Sequence, residues 1–222
     1  MQKKFFELLS LENTLSAEVF NSVTYPYEVI PKIKESVFKL GKELSKDRFK
    51  EIKDGVWISV SAIVAESAVI MAPCIVDENA EIRHCAFLRG GVIVGKNSVV
   101  GNSTELKNVI LFDNVQVPLY NYVGDSILGY KAHMGAASIT SNVKMDKSTV
   151  MTDYGEGRVS SGLKKLGAVI GDNAEIGCGA VLNPGAVIGR GARVYPLCSV
   201  RGYLKNGCVY KSESDIANIV GR

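Results

Sequence analysis

The chain has 222 residues, with 26 Lys and Arg against 23 Asp and Glu, and 46 % of it is hydrophobic. This length suffices for one domain with a substantial core, and a net charge of +3 is too small to indicate a surface for nucleic acid or anionic membrane. No apolar run approaches the length of a transmembrane helix. Met1–Phe6 lack the apolar core of a signal peptide, so we expect a cytoplasmic protein.

Residues 1–55 form the first unit. Apolar residues recur there at helical spacing, at Ile30, Ile33, Val37, Leu40 and Leu44. Pro31 is compatible with the first turn of such a helix. The pattern predicts an N-terminal helical segment that caps one open end of the unit that follows.

Residues 56–201 carry an internal repeat of six residues. An aliphatic residue recurs at every sixth position, at Ile58, Val64, Ile70, Val76, Ile82, Leu88, Val94, Val100 and Leu106, and again at Ile170, Ile176, Leu182, Ile188, Val194 and Val200. A small residue usually stands four positions later. Three hexads close a triangular coil of about eighteen residues with the aliphatic side chains inside. The repeat therefore predicts an all-β solenoid, whereas a sandwich or barrel would alternate with period two.

The repeat is interrupted in three places. Five-residue steps occur at Leu106–Leu111 and at Val123–Leu128, and residues 143–166 break the phase entirely. We call residues 143–166 the excursion. Its basic residues are Lys144, Lys147, Arg158, Lys164 and Lys165. Because regular stacking gains nothing from such a loop, the excursion indicates function.

Two further expectations concern the ends and the faces of the solenoid. Residues 202–222 form a C-terminal tail in which Ser212–Ile219 is predicted to be a short helix that caps the second end. The aliphatic residues Val69, Ile75 and Ile93 are predicted to be exposed and to favour threefold packing of subunits. The five cysteines have no zinc-like spacing and predict reduced thiols.

Several motifs carry a family resemblance. They are Leu88-Arg-Gly-Gly91, Glu105-Leu-Lys-Asn108, Val117-Pro-Leu-Tyr-Asn-Tyr-Val-Gly-Asp125, Gly135-Ala-Ala-Ser-Ile-Thr-Ser-Asn142 and Ser160-Ser-Gly-Leu-Lys-Lys-Leu-Gly167. Together they resemble the bifunctional sugar-1-phosphate nucleotidyltransferase/acetyltransferases related to UDP-N-acetylglucosamine pyrophosphorylase. The resemblance implies a left-handed parallel β-helix, a homotrimer, acetyl-CoA as co-substrate and an amino-sugar 1-phosphate as acceptor in sugar-nucleotide biosynthesis.

The nucleotidyltransferase half of that family has no counterpart in this sequence. It needs a glycine-rich loop over a triphosphate and acidic residues for Mg²⁺, yet Gly41 and Gly55 are the only glycines in residues 1–55. We therefore do not expect pyrophosphorylase activity from this chain alone.

The resemblance also implies candidate site residues. Arg89 and Lys107 match the cations that hold the sugar phosphate, Tyr122 matches a tyrosine that contacts the acceptor, and Asn142 matches an asparagine at the junction of acceptor and acetyl group. The backbone N–H near Ala136 would face the acetyl group. Positions that line the CoA groove match Cys178, Pro196 and Arg201. No metal site is expected.

One position departs from the family. Leu119 stands where the family has the histidine that serves as general base, and leucine cannot accept a proton. His133 occupies the position of a substrate-facing asparagine and is the candidate replacement, whereas His84 is expected to be simply exposed.

Two interpretations stay open. One is a CoA-dependent N-acyltransferase, weakened by the loss of the family histidine. The other is a silent sugar-phosphate-binding or regulatory subunit that partners a nucleotidyltransferase. A γ-type carbonic anhydrase needs three histidines for zinc, and this chain has two.

Overall fold

A computed structural model of the chain describes residues 7–219. The residues of the signal-peptide argument, 1–6, and the last three of the predicted tail lie outside the described residues. Within residues 7–219, none of the helices has the length and hydrophobicity needed to span a membrane.

Parallel strands stack into a solenoid with three flat faces, which confirms the predicted architecture. Face 1 consists of Val56–Ser59, Cys74–Val76, Val92–Val94, the second halves of Glu105–Leu111 and Tyr122–Leu128, Ala168–Ile170, Ala186–Ile188 and Tyr203–Leu204. Face 2 consists of Ile63–Val64, Glu81–Ile82, Val99–Asn102, Gln116–Leu119, His133–Met134, Glu175–Ile176, Arg193–Val194 and Cys208–Ser212. Face 3 consists of Val69–Ile70, Phe87–Leu88, the first halves of Glu105–Leu111 and Tyr122–Leu128, Ile139–Thr140, Val181–Leu182 and Ser199–Val200. We name the corners after the faces they join: corner 1–2, corner 2–3 and corner 3–1.

The core is the inward ladder that the repeat predicts. Val76, Leu88, Val100 and Leu106 are fully buried, and the positions of the second run follow the same pattern. Because alternate residues of a strand point to opposite sides, each inward aliphatic is followed or preceded by an outward residue that is free to vary.

The two five-residue steps are shortened corners. In Glu105–Leu111 and Tyr122–Leu128 the strand continues through corner 3–1, and the register pairs Lys107 with Gly124 and then Val109 with Ser126. The residues skipped by this register are Asn108 and Asp125, which adopt positive φ angles of 56° and 47°. Asn and Asp tolerate this left-handed conformation better than most residues. The break in the repeat therefore marks a local change of backbone at corner 3–1.

The N-terminal segment contains the predicted helix but lies mainly along the side of the solenoid. Its helices are the short 3₁₀ helices Leu11–Asn13, Ala17–Phe20 and Pro26–Lys32 and the α-helix Ile33–Glu43. The two longest of these pack on the strands of face 1. Ile75 and Ile93, predicted to be exposed for threefold packing, are instead fully buried beneath this segment, whereas Val69 of face 3 is 55 % exposed.

The excursion covers the remainder of face 1. It forms the antiparallel hairpin Met151–Asp153 and Arg158–Ser160, whose first strand contacts Ala186–Ile188. Val150 and Thr152 are buried, and the ring of Tyr154 lies 5.1 Å from that of Tyr25 in the N-terminal segment. Part of the excursion therefore has a packing role that the sequence analysis did not anticipate.

Both ends of the solenoid are closed by antiparallel strands. Phe49–Lys53 pairs with Val56–Ser59 at the edge of face 1, and Asp215–Asn218 pairs with Cys208–Ser212 at the edge of face 2. The prediction of a C-terminal helix over 212–219 is wrong. A hairpin satisfies the open hydrogen-bonding edge of the last strand, which a helix stacked on the end would leave unpaired.

Candidate functional site

Two predicted cations lie in adjacent coils of corner 3–1. Arg89 and Lys107 each follow a strand of face 3 whose last residues, Leu88 and Leu106, are in register. Arg89 forms an ion pair of 2.6 Å with Glu105, and Lys107 lies 3.4 Å from the carboxylate of Asp125. Stacked strands lie about 4.8 Å apart, so this corner presents two cations and two carboxylates within a small patch.

Asp125 is the centre of this patch. It is 4 % exposed. Its carboxylate accepts hydrogen bonds from Nδ2 of Asn108 at 3.0 Å and from Nδ2 of Asn142 at 2.6 Å, in addition to the contact with Lys107. The sequence analysis did not single out Asp125 as a site residue. The two five-residue steps of the repeat could have identified it, because Asn108 and Asp125 lie at the two corners that these steps shorten.

Tyr122 and Asn142 are also brought to this corner. Nδ2 of Asn142 lies 3.3 Å from the Tyr122 hydroxyl. Burial and the nearby Asp125 carboxylate raise the pKa of Tyr122 above its ordinary value of 10.0. The phenol is therefore protonated at neutral pH and has an O–H to donate. The four acceptor residues implied by the resemblance form one continuous patch in the folded chain.

A basic cavity of about 160 Å³ adjoins the same corner farther along the solenoid. Lys144 and Arg158 of the excursion line it, together with Asn183 and Arg201. Arg201 therefore lies on corner 3–1 with the acceptor residues. It does not lie near Cys178 and Pro196, with which the resemblance had grouped it.

The remaining predicted residues occupy corner 2–3. Backbone hydrogen bonds connect Leu119 to Ala137, Ala136 to Gly179 and Cys178 to Leu197, which stacks Leu119, Ala136, Cys178 and Pro196 in successive coils. Leu119 is 37 % exposed. Cys178 and Pro196 are exposed as well, so this corner is open to a ligand along its length.

His133 lies on face 2, one coil beyond the strand that ends in Leu119, because it pairs with Gln116. Its Nδ1 is 2.8 Å from Oε2 of Glu175, a partner that the sequence analysis missed. The two residues are 42 positions apart. Without the 24 residues of the excursion, 18 remain, which is one coil. That subtraction would have found the pair. His84 is exposed as expected and lies 3.2 Å from the Ser67 hydroxyl.

The predicted residues thus form two groups at opposite ends of the face 3 strands. The acceptor group and Arg201 occupy corner 3–1, and Leu119, Ala136, Cys178 and Pro196 occupy corner 2–3. His133 lies on face 2, three residues before this second corner. A single chain does not bring the two groups together. Within residues 7–219, no group of three His, Cys, Asp or Glu side chains is arranged to hold a metal ion.

Family models match two parts of the chain. Residues 70–156 match the GMPPB C-terminal domain, and residues 167–202 match the bacterial transferase hexapeptide, a unit of six repeats. The second match covers the regular coils that follow the excursion. The first covers corner 3–1 from Arg89 to Asn142.

The relatives decide the affiliation. A bifunctional protein GlmU of Methanococcus maripaludis is 29 % identical over 95 % of this chain and 52 % of its own length. A bifunctional protein GlmU of Methanococcus aeolicus is 34 % identical over 77 % of this chain and 46 % of its own length. This chain is a homologue of GlmU. It spans about half the length of the GlmU proteins it matches.

The homology to GlmU agrees with the fold. The chain forms the left-handed parallel β-helix of the hexapeptide transferases, as the resemblance predicted. Among solved structures, the acetyltransferase domain of PglB from Neisseria gonorrhoeae in complex with acetyl coenzyme A is 16 % identical, with a TM-score of 0.30 over 86 % of this chain and 66 % of that chain.

Proposed function

We propose that this chain is a CoA-dependent N-acetyltransferase that acts on an amino-sugar 1-phosphate. The observation that carries the proposal is the mixed charge of corner 3–1. An amino-sugar phosphate carries an ammonium group and a phosphate. The patch offers Arg89 and Lys107 to the phosphate and the partly exposed Glu105 to the ammonium, while the buried Asp125 holds Lys107 and Asn142 in place. Tyr122 and Asn142 add neutral donors for sugar hydroxyls.

The proposal requires more than one copy of the chain. The acceptor group and the group on corner 2–3 are separated by face 3, so a complete site needs corner 3–1 of one subunit against corner 2–3 of the next. A closed ring of three subunits, a homotrimer, satisfies this requirement three times by symmetry. Acetyl-CoA would lie along corner 2–3, past Ala136, Cys178 and Pro196. We propose that the reaction takes place in the cytoplasm.

His133 is the proton acceptor in this proposal. An amine attacks a thioester only in its neutral form, and the developing ammonium must lose a proton. Leu119 cannot take it. His133 pairs with Gln116 in the adjacent coil, so it lies on face 2 three residues before the level of Leu119, and it is partly exposed. A general base contributes typically 10²–10⁴-fold to such a reaction.

A second candidate function follows from Leu119 itself. An exposed leucine at the position of the family base is the pattern of a chain that binds a sugar phosphate without transforming it. In that case the chain would act as a binding or regulatory subunit beside a nucleotidyltransferase.

Product mass spectrometry tests the proposal. The purified chain is incubated with acetyl-CoA and glucosamine 1-phosphate, with galactosamine 1-phosphate in parallel, and the acetylated sugar phosphate is counted directly because the five cysteines interfere with thiol dyes. We expect product from the wild-type chain. Arg89→Ala should raise the KM for the sugar phosphate about tenfold, the loss of one charge-assisted contact.

The matched control is Arg48→Ala. Arg48 forms a similar ion pair, 2.8 Å from Glu78 of corner 1–2, away from both groups. Its removal should leave the KM unchanged. Binding of the sugar phosphate without product supports the silent subunit. Absence of both product and binding contradicts both functions.

A further inference from the structure

The pair His133 and Glu175 has the geometry of a base and its orienting carboxylate. The two residues pair directly across adjacent parallel strands of face 2. The Nδ1–Oε2 distance is 2.8 Å, and the side chains are 36 % and 53 % exposed. The contact therefore lies at the surface, and the register of the two strands, not burial of the side chains, brings the two residues together.

The carboxylate decides which nitrogen is left for chemistry. When Nδ1–H donates to a carboxylate, the neutral imidazole keeps its lone pair on Nε2. Nε2 points away from the bond and is the nitrogen that can accept a proton. This is the arrangement in which a third group orients a base in nucleophilic catalysis.

The other neighbours of His133 leave Glu175 as its only acidic partner among the residues that the structure describes around it. On the preceding strand it faces the uncharged Gln116, and beyond Glu175 in the next strand lies Arg193. Lys131, two residues earlier, lies 5.1 Å from the ring of Tyr130. Replacing Glu175 therefore removes the one carboxylate that contacts His133 in the described part of this face.

We infer that Glu175 is the positioning residue of the acetyl transfer. It holds His133 so that Nε2 takes the proton from the acceptor amine while the amine nitrogen attacks the thioester carbonyl. The C–N bond forms, the C–S bond breaks, and the proton passes from His133 to the CoA thiolate, which leaves as the thiol. This inference rests on the proposed function, because it assigns a role within that reaction.

NMR of the imidazole nitrogens tests the pairing without any turnover. The chain has two histidines, so His84→Gln assigns both sets of signals. We expect the neutral imidazole of His133 to carry its proton on Nδ1. Glu175→Gln replaces the carboxylate by a weaker, neutral acceptor, so the fraction of the Nε2–H tautomer of His133 should rise. Glu81→Gln, on the same face but away from His133, is the matched control and should leave the tautomer ratio unchanged.

The separate effects on kcat and KM test the role. Glu175→Gln should lower kcat about tenfold and leave the KM for glucosamine 1-phosphate unchanged. His133→Ala should lower kcat at least as much, and adding Glu175→Gln to it should cause no further loss, because Glu175 acts through His133. Glu81→Gln should behave as the wild type.

The outcomes separate the two proposals. If the wild-type chain forms no product, the proposed function fails and the role of Glu175 fails with it. If product forms but Glu175→Gln changes neither the tautomer ratio of His133 nor kcat, the positioning role alone is overturned.

Discussion

Face 1 and face 2 share one inward ladder but differ on their outer sides. The outward residues of face 1 are aliphatic or aromatic, and Ile75, Ile93 and Val187 are fully buried beneath other parts of the chain. At the corresponding positions, face 2 is mostly polar or charged, as at Glu81, His133 and Glu175. The inward residues specify the coil, whereas the outward residues of a face determine whether another part of the chain covers that face. Only a face left uncovered can offer its side chains to a ligand or a second subunit.

The largest expected effect comes from making the covered face polar. Ile93→Ser removes a fully buried aliphatic side chain and buries a hydroxyl without a partner. The free energy of unfolding should fall by about 4 kcal/mol in urea titration. Ile63→Ser is the matched control, since Ile63 of face 2 is 68 % exposed, and it should change stability by less than about 0.5 kcal/mol. Equal losses in the two variants would contradict the distinction between the faces.

A somewhat smaller effect is expected where the two coverings of face 1 meet. Tyr154 of the excursion packs on Tyr25 and Tyr27 at ring distances of 5.1 and 6.3 Å. Tyr154→Ala should cost about 3 kcal/mol and should make the excursion a site of rapid cleavage in limited proteolysis. The comparison is Tyr120→Ala, because Tyr120 is 58 % exposed at corner 2–3. An unchanged cleavage pattern in Tyr154→Ala would show that the excursion is held by other contacts.

The smallest effect lies at corner 1–2, between the covered and the open face. Burial raises the pKa of Asp77 from 3.8 to about 6. The folded protein thus favours the protonated carboxyl, so this contribution to stability is present below about pH 4 and is lost as the pH rises through 6.

Asp77→Asn should therefore stabilise the chain by about 1 kcal/mol near pH 7.5, with the gain absent near pH 4. Asparagine keeps the oxygen that accepts the backbone N–H of Glu78 at 2.7 Å. Urea midpoints at the two pH values measure the difference, with the exposed Asp54→Asn as control. A gain of the same size at both pH values would exclude ionisation as its cause.

The sequence predicted the coil well because one property, an apolar residue at every sixth position, repeats through the chain. The burial of Val76 and Leu88 follows from the repeat alone, without knowledge of what packs around the coil. The burial of the outward residues does not. Ile75 and Ile93 resembled contacts for a second subunit, and only the packing of the helix Ile33–Glu43, earlier in the chain, showed that they are covered within the chain.

The candidate site was predicted in part for the same reason. Arg89, Lys107, Tyr122 and Asn142 came from motifs, and the structure brings them to one corner. Asp125 was missed, because its importance arises from three donors in the coils before and after its own. Glu175 was missed because the excursion hides its distance of one coil from His133. Arg201 was grouped by analogy with the wrong corner. It follows the strand Ser199–Val200 of face 3, whereas Pro196 follows Arg193–Val194 of face 2, so one hexad of six residues places the two on different corners.

The covering of face 1 also dictates an order of assembly. Backbone carbonyls of the N-terminal segment accept hydrogen bonds from coils far along the chain: Asn13 from Asp113 at 3.0 Å, and Leu8 from Asp172 at 2.9 Å. The solenoid can grow coil upon coil through neighbouring contacts during translation. The segment that is synthesised before the coils must wait until the distant ones exist, and loop closures of this length are slow. Until then the apolar outer side of face 1 stays exposed to solvent. During this interval a nascent chain is most accessible to chaperones and most prone to aggregation.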